Sequence, residues 1–212
     1  MASVAAIVLA AGRSSRFRAA GGAEESKLLA EIEGKPIVLL VAETALASRA
    51  RPVIVVVGHA SRAVKEALAG SPVTIAFNPD FETGLASSLR LGLASTPADS
   101  DAAVVLLGDM PNVGFRLIDD LISAFEARPD VRAVAPTHHG RRGNPVLIAR
   151  PLFDEAMRLR GDEGARRLLA ALPSGEIAEI AAASGVTFDV DTPADLALAR
   201  GGTRNRNSRL GD

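Results

Sequence analysis

The chain predicts a doubly wound α/β sandwich, helices on both faces of a mostly parallel sheet, and three observations carry that reading. Short β-branched runs alternate with longer Ala- and Leu-rich stretches. The runs are apolar throughout, as in strands buried on both faces. The stretches between them carry apolar residues at helical spacing. Taken in order, a strand at 4–9 precedes a helix at 37–48, and a strand at 53–57 precedes a helix at 61–69. Strands at 73–76 and 102–107 are followed by helices at 85–95 and 115–127. In the last of these, Leu117, Ile118, Leu121, Ile122 and Phe125 form one apolar face. Strands at 131–135 and 146–148 and a helix at 151–158 follow, with a polar, basic loop at 137–143 and a further strand at 177–180. Residues 1–200 are expected to form one domain. Residues 201–212, rich in Gly, Asn and Arg with Leu210 the one large apolar residue, are expected to be a disordered tail.

Composition removes several function classes. A net charge of −1 and an absence of Trp and Tyr speak against nucleic-acid binding by phosphate neutralisation or base stacking. Zero cysteines exclude disulfides, zinc–thiolate sites and thiol nucleophiles. No apolar run approaches the ~20 residues of a membrane helix, and the N-terminus lacks a positively charged leader, so a soluble cytoplasmic protein is expected.

The strongest local signal follows the first strand: Leu9, Ala10, Ala11, Gly12, Arg13, Ser14, Ser15, Arg16. In an open α/β sheet, ligands bind beyond the carboxyl ends of strands. Small residues there let successive amides form an anion-binding nest, and Arg13 and Arg16 add fixed charge with bidentate geometry. An ordinary turn with solvated arginines would use the same residues. Neither the dinucleotide fingerprint nor a Walker A loop is present: Gly34-Lys35 is followed by Pro36. Further on, Asn78-Pro79, Gly84, Ser87 and Ser88 read as a turn feeding a helix N-terminus, which suits an anion or a nucleotide edge as well as a capped surface helix. Gly108-Asp109-Met110-Pro111 ends an apolar strand, placing a carboxylate on the same rim. Asp109 there could hold Mg²⁺ against phosphates or simply cap a turn. Thr192, Pro193 and Asp195 make a helix-start signature that leaves Asp189 and Asp191 unexplained.

Leu9-Ala10-Ala11-Gly12-x-Ser14-x-Arg16 with Lys27-Leu28-Leu29, together with the stretches around Asp109 and Asp191, resembles the MobA-like NTP transferases, most closely the molybdenum cofactor cytidylyltransferases. The resemblance runs from Val4 to Arg200. It implies a three-layer, Rossmann-like nucleotide-diphospho-sugar transferase fold and a Mg²⁺-dependent nucleotidyltransferase. It implies that Arg16 and Lys27 act on triphosphate oxygens, with residues 9–15 cradling the nucleotide. Asn78, Gly84, Ser87 and Ser88 would lie near base and ribose. Asp109 and Asp191 would be the metal ligands, and Asp189 would orient the site. Between Arg16 and Lys27 this chain carries an Ala/Gly/Glu insert, 17–26, longer than the family spacing.

Guanylyl-transferring relatives read L-A-G-G where this chain has Leu9-Ala10-Ala11-Gly12. The Ala11 methyl would crowd a purine edge, so CTP is expected over GTP, with CMP transferred to a phosphorylated acceptor, Mo-molybdopterin. A molybdoenzyme or its chaperone is the implied protein partner. Guanylyl transfer to the same cofactor, transfer to a sugar phosphate, and non-catalytic NTP binding for cofactor delivery are the alternatives. On the acceptor side, residues 140–145 and 161–166 resemble family stretches near the second substrate, with Asn144 where relatives often carry His. His138 and His139 have no ligand-spaced partner for zinc.

Overall fold

The computed structural model describes residues 1–207, with side chains described through residue 201. The elements run β1 (Val4–Ala10), α1 (Ser15–Ala19), β2 (Glu31–Ile32), β3 (Lys35–Pro36), α2 (Ile37–Ala47), β4 (Val53–Val57), α3 (Ser61–Ala67) and β5 (Thr74–Phe77). They continue with α4 (Leu85–Ala94), β6 (Ala102–Leu107), α5 (Phe115–Glu126), β7 (Ala133–His138), β8 (Arg141–Arg142), β9 (Val146–Ala149), α6 (Phe153–Ala156), α7 (Ala165–Ala171), β10 (Ile177–Ala181) and α8 (Pro193–Asn207).

The main sheet has the order β10-β7-β9-β6-β1-β4-β5, with β8 paired to β7; β2 and β3 form a separate ribbon. Only β9 and the short β8 run against the others, so the carboxyl ends of β1, β4, β5, β6, β7 and β10 share one rim. All seven residues of β1 are buried, and their side chains alternate between two cores. Ala6, Val8 and Ala10 join α2 and α5 on one face, while Ile7 and Leu9 meet Leu89 and Leu93 of α4 on the other. Two-sided burial of this kind is why the strand reads as an unbroken apolar run. Among the described residues no helix is long and apolar enough to cross a membrane.

Four details depart from expectation. The polar stretch 137–143 is a hairpin rather than a loop: His138 pairs with Arg141, and the intervening His139 and Gly140 have φ of +48° and +72°, the twist of a two-residue primed turn. Strand pairing uses the backbone, so polar side chains do not prevent it. The strand expected from 131 starts at Ala133, because Val131 still closes a turn on the Arg128 carbonyl. The helix expected over 151–158 narrows to α6 behind a 3₁₀ turn at Arg150–Leu152, where Pro151 sits near the start. Finally, α8 continues through Asn207 rather than giving way to a disordered tail at 201, since each residue added to a nucleated helix adds a bond. Residues 208–212 of that expected tail lie outside the described residues.

Candidate active site

The turn after β1 approaches the end of β6 closely. The Gly108 amide donates to the Leu9 carbonyl at 2.9 Å, and a Cβ on Gly108 would lie 2.9 Å from that same oxygen. Glycine therefore lets β6 run on beside β1 and deliver Asp109 to the mouth of the first loop. A second tether brings in the distant C-terminal segment: the amide of the fully buried Val190 donates to the Asp109 carbonyl at 3.0 Å. With Val190 anchored, its neighbours Asp189 and Asp191 flank Asp109, and one carboxylate oxygen from each of the three lies within 4.8 Å of the others. Asp191 is followed by the predicted capping box, in which the Thr192 amide donates to Asp195 Oδ2 at 2.8 Å and the Asp195 amide donates to Thr192 Oγ1 at 3.2 Å.

The insert 17–26 leaves and returns without displacing Lys27. Phe17 is buried beneath it, and Gly22 packs on the Phe17 ring where a Cβ would clash at 2.2 Å. At its neck the hydroxyls of Ser14 and Ser26 meet at 3.2 Å, and Ser14 Oγ accepts from the Lys27 amide at 3.1 Å. Ser14 itself is left-handed, with φ of +53°. The two serines close the insert, so that Lys27 stands beside the loop it would serve despite the long sequence between them. Lys27 Nζ lies 2.6 Å from Asp109 Oδ2 and 2.7 Å from Asp191 Oδ1, and the Arg16 guanidinium pairs with Asp191 Oδ2. Burial acts most strongly on Lys27 and opposes its charge, yet Asp109 and Asp191 together hold the ammonium above the usual lysine value. Asp189 is pushed above the usual aspartate value by partial desolvation first, and then by the charges of Asp191 and Asp109. Asp109 Oδ1 is buried with no hydrogen-bond partner.

These groups border one cavity of about 600 Å³, large enough for a nucleotide. Of the sequence-predicted residues, Leu9, Ala11, Gly12, Arg13, Ser14, Ser15, Arg16, Lys27, Gly84, Ser88, Asp109, Asp189 and Asp191 line it. Three others lie behind the wall. Ala10 is turned into the core. Asn78 and Ser87 are buried, and the Asn78 amide donates to Ser87 Oγ at 2.9 Å and Ser88 Oγ at 3.0 Å, stitching the end of β5 to the start of α4. The sequence reading missed Phe81 and Glu82 as wall residues, whereas Asp162, from the acceptor-side stretch 161–166, does line the cavity. Asp162 arrives because the backbones of Gly84 and Gly161 touch, with the Ala86 amide donating to the Gly161 carbonyl at 2.9 Å. Among the remaining acceptor-side candidates, Arg142 pairs with Glu179, and the His138 ring meets the Ala182 carbonyl and lies tilted at 60° against the His139 ring. Among the described residues, the aspartate trio is the one group of His, Cys, Asp or Glu side chains placed to hold a metal ion.

The mostly parallel sheet with helices on both faces has the nucleotide-diphospho-sugar transferase fold, and the chain is a nucleotidyltransferase. A family model for the MobA-like NTP transferase domain matches residues 6–177, and the chain belongs to that family. It is 29% identical to the molybdenum cofactor cytidylyltransferase of Escherichia coli K12, over 94% of this chain and 97% of that one. It is 31% identical to the purine catabolism protein PucB of Bacillus subtilis 168, over 92% and 94% of the two chains. It also matches bifunctional GlmU proteins, of which it spans about a quarter to a third of the length. Among solved structures, Rv0371c of Mycobacterium tuberculosis H37Rv superposes with a TM-score of 0.81 at 27% identity, over 93% of this chain and 96% of that one. A manganese complex of Rv0371c superposes at 0.77, with 26% identity over 92% and 97% of the chains.

Proposed function

We propose that this protein transfers CMP from CTP to the terminal phosphate of Mo-molybdopterin in the cytoplasm, releasing pyrophosphate, with Mg²⁺ as the metal. The observation that carries the reading is the meeting of Arg16 and Lys27 with Asp109, Asp189 and Asp191 in one nucleotide-sized cavity. Support for the acceptor comes from the E. coli cytidylyltransferase, whose likeness extends over nearly the whole of both chains. Support for a pyrimidine comes from Ala11, whose methyl stands beside Gly58 near Phe81 and fills a corner that a glycine would leave open.

In this reading an acceptor phosphate oxygen attacks the α-phosphorus, the bond from that phosphorus to the bridging oxygen breaks, and pyrophosphate carries away the electron pair. The protein forms no covalent bond; its contribution is position and charge. Amides of residues 11–15 would cradle the triphosphate, while Arg16 and Lys27 would offset charge on the α-phosphate and the leaving group. A divalent cation fits the aspartate trio, because the donors are hard carboxylate oxygens and Asp109 Oδ1 has no other partner. When bound, magnesium would neutralise phosphate charge, held by Asp109 and Asp191 with Asp189 adjacent. Asn78 would act indirectly, by holding the hydroxyl of Ser88 at the wall.

Pyrophosphate release measured with CTP, GTP, UTP and ATP, each with Mo-molybdopterin and Mg²⁺, tests the proposal. Release with CTP alone is expected. Release with GTP and not CTP would overturn the base assignment. Release only with a sugar phosphate as acceptor would overturn the molybdopterin assignment.

A further inference from the structure

We propose that Lys27 competes with the divalent cation for the carboxylate pair Asp109–Asp191, and that nucleotide phosphates relieve the competition, so that metal and nucleotide load together. The inference rests on the nucleotidyl-transfer reading above and concerns the regulation of the same site.

The geometry sets up the conflict. Lys27 Nζ stands 2.6 Å from Asp109 Oδ2 and 2.7 Å from Asp191 Oδ1, bridging two oxygens that a small dication would also use. A magnesium-sized ion needs its oxygens at about 2.0–2.1 Å. An ion seated between those two atoms would therefore take the position the ammonium now holds. Arg16 occupies the remaining oxygen of Asp191, leaving Asp109 Oδ1 as the free donor of the pair. Charge points the same way. Three carboxylates face one lysine and one arginine, and adding a dication with both cations in place would reverse the sign of the cluster.

Triphosphate oxygens change the balance, because they offer Lys27 and Arg16 new partners of high charge. Lys27 can make that move without disturbing the fold. Its amide is held by Ser14 Oγ at 3.1 Å, and the neighbouring Leu28 amide is held by the buried Ser26 hydroxyl at 3.3 Å, so the backbone stays while the four-carbon stem swings. Arg16, largely exposed, is equally able to turn. Each ligand then removes an obstacle to the other. Linkage makes the effect reciprocal: the factor by which nucleotide tightens metal binding is the factor by which metal tightens nucleotide binding.

The test reads Mn²⁺ binding to the full chain by the paramagnetic signal of free Mn²⁺, without and with α,β-methylene CTP. In the wild type the analogue should tighten Mn²⁺ binding at least about tenfold, within the usual range for coupled sites. Lys27→Met should bind Mn²⁺ alone at least about tenfold more tightly than wild type, and should lose most of the coupling. Lys27→Gln removes the same charge and serves if the methionine variant does not fold. Lys27→Arg keeps a cation there and should resemble wild type, and Asp109→Asn should weaken Mn²⁺ binding in every background. Equal Mn²⁺ affinity of wild type and both neutral variants would overturn the proposal, leaving Lys27 as a structural ion pair. Tighter Mn²⁺ binding by Lys27→Met, with no binding of any methylene nucleotide to the wild type, would support the competition. That same result would reject the nucleotidyl-transfer reading.

Discussion

Gly84→Ala should damage both the fold and the site wall. Gly84 has φ of +108° and ψ of 178°, a region essentially reserved for glycine, where another residue costs about 1–3 kcal/mol. A Cβ there would lie 2.3 Å from both the carbonyl carbon and the oxygen of Gly161, and neither atom can rotate away. Separating the two backbones also breaks the Ala86 amide bond to Gly161, worth about 0.5–1.5 kcal/mol. Together these give a loss of about 2–4 kcal/mol, a large share of the roughly 5–15 kcal/mol that stabilises a typical domain. With a urea m-value of about 2 kcal/mol/M, the unfolding midpoint should fall by about 1–2 M. Gly175→Ala is the control: it is exposed, no atom lies within 4 Å of its would-be Cβ, and it should not lower the midpoint and should raise it by at most about 0.5 M. Calorimetric titration of folded Gly84→Ala with CTP and Mg²⁺ should also show weaker binding, because the shift carries Asp162 away from the cavity. A midpoint and an affinity both equal to wild type would refute the claim that this glycine contact builds the wall.

Further predictions follow from the site. Arg16→Ala should leave the melting temperature nearly unchanged, since its pair with Asp191 is largely exposed, yet lower pyrophosphate release by about 10²-fold or more. Unaltered turnover in the folded variant would remove Arg16 from the reaction. Asp109→Asn should reduce turnover at least as far and raise the Mg²⁺ concentration needed for half-maximal rate; an unchanged Mg²⁺ dependence would exclude Asp109 as a metal ligand. Asp195→Ala removes the carboxylate arm of the capping box, leaving the Asp195 amide bond to Thr192 Oγ1 in place, and should cost about 0.5–2 kcal/mol in urea denaturation at neutral pH. Bonds from the Thr192 hydroxyl, and then from the Thr192 and Asp191 amides, hold the Asp195 carboxyl below its usual range. Its stabilisation is therefore complete above the unfolded-state value and disappears as pH falls through the lowered folded value. The gap between Asp195→Ala and wild type should close on acidification, and a gap constant with pH would contradict the ionic cap.

Where a residue's role depends on its near neighbours in the chain, it was legible. The core strands announce themselves because two-sided burial demands apolar residues without interruption, and β4 and β6 end where their apolar runs end. The capping box at Thr192–Asp195 is a four-residue device and is found where the residues place it. Arg16 and Asp109 could be assigned to one rim because strands running the same way must end on the same side. The β7–β8 hairpin was hidden because its pairing belongs to the backbone and its side chains are those of a loop.

Sequence alone thus determined the layered architecture, the place of the small-residue turn after β1 and the identity of the charged groups beside it, since each follows from local pattern and strand direction. Tertiary structure alone decided that Ser14 and Ser26 close the insert beneath Lys27, that Gly84 meeting Gly161 brings Asp162 to the wall, and that the Val190 amide ties its segment to the Asp109 carbonyl. Each of those contacts joins segments far apart in the chain through a hydroxyl, a missing Cβ or a single backbone amide. Such partners leave no periodic trace in sequence and acquire their meaning only when the core brings them together.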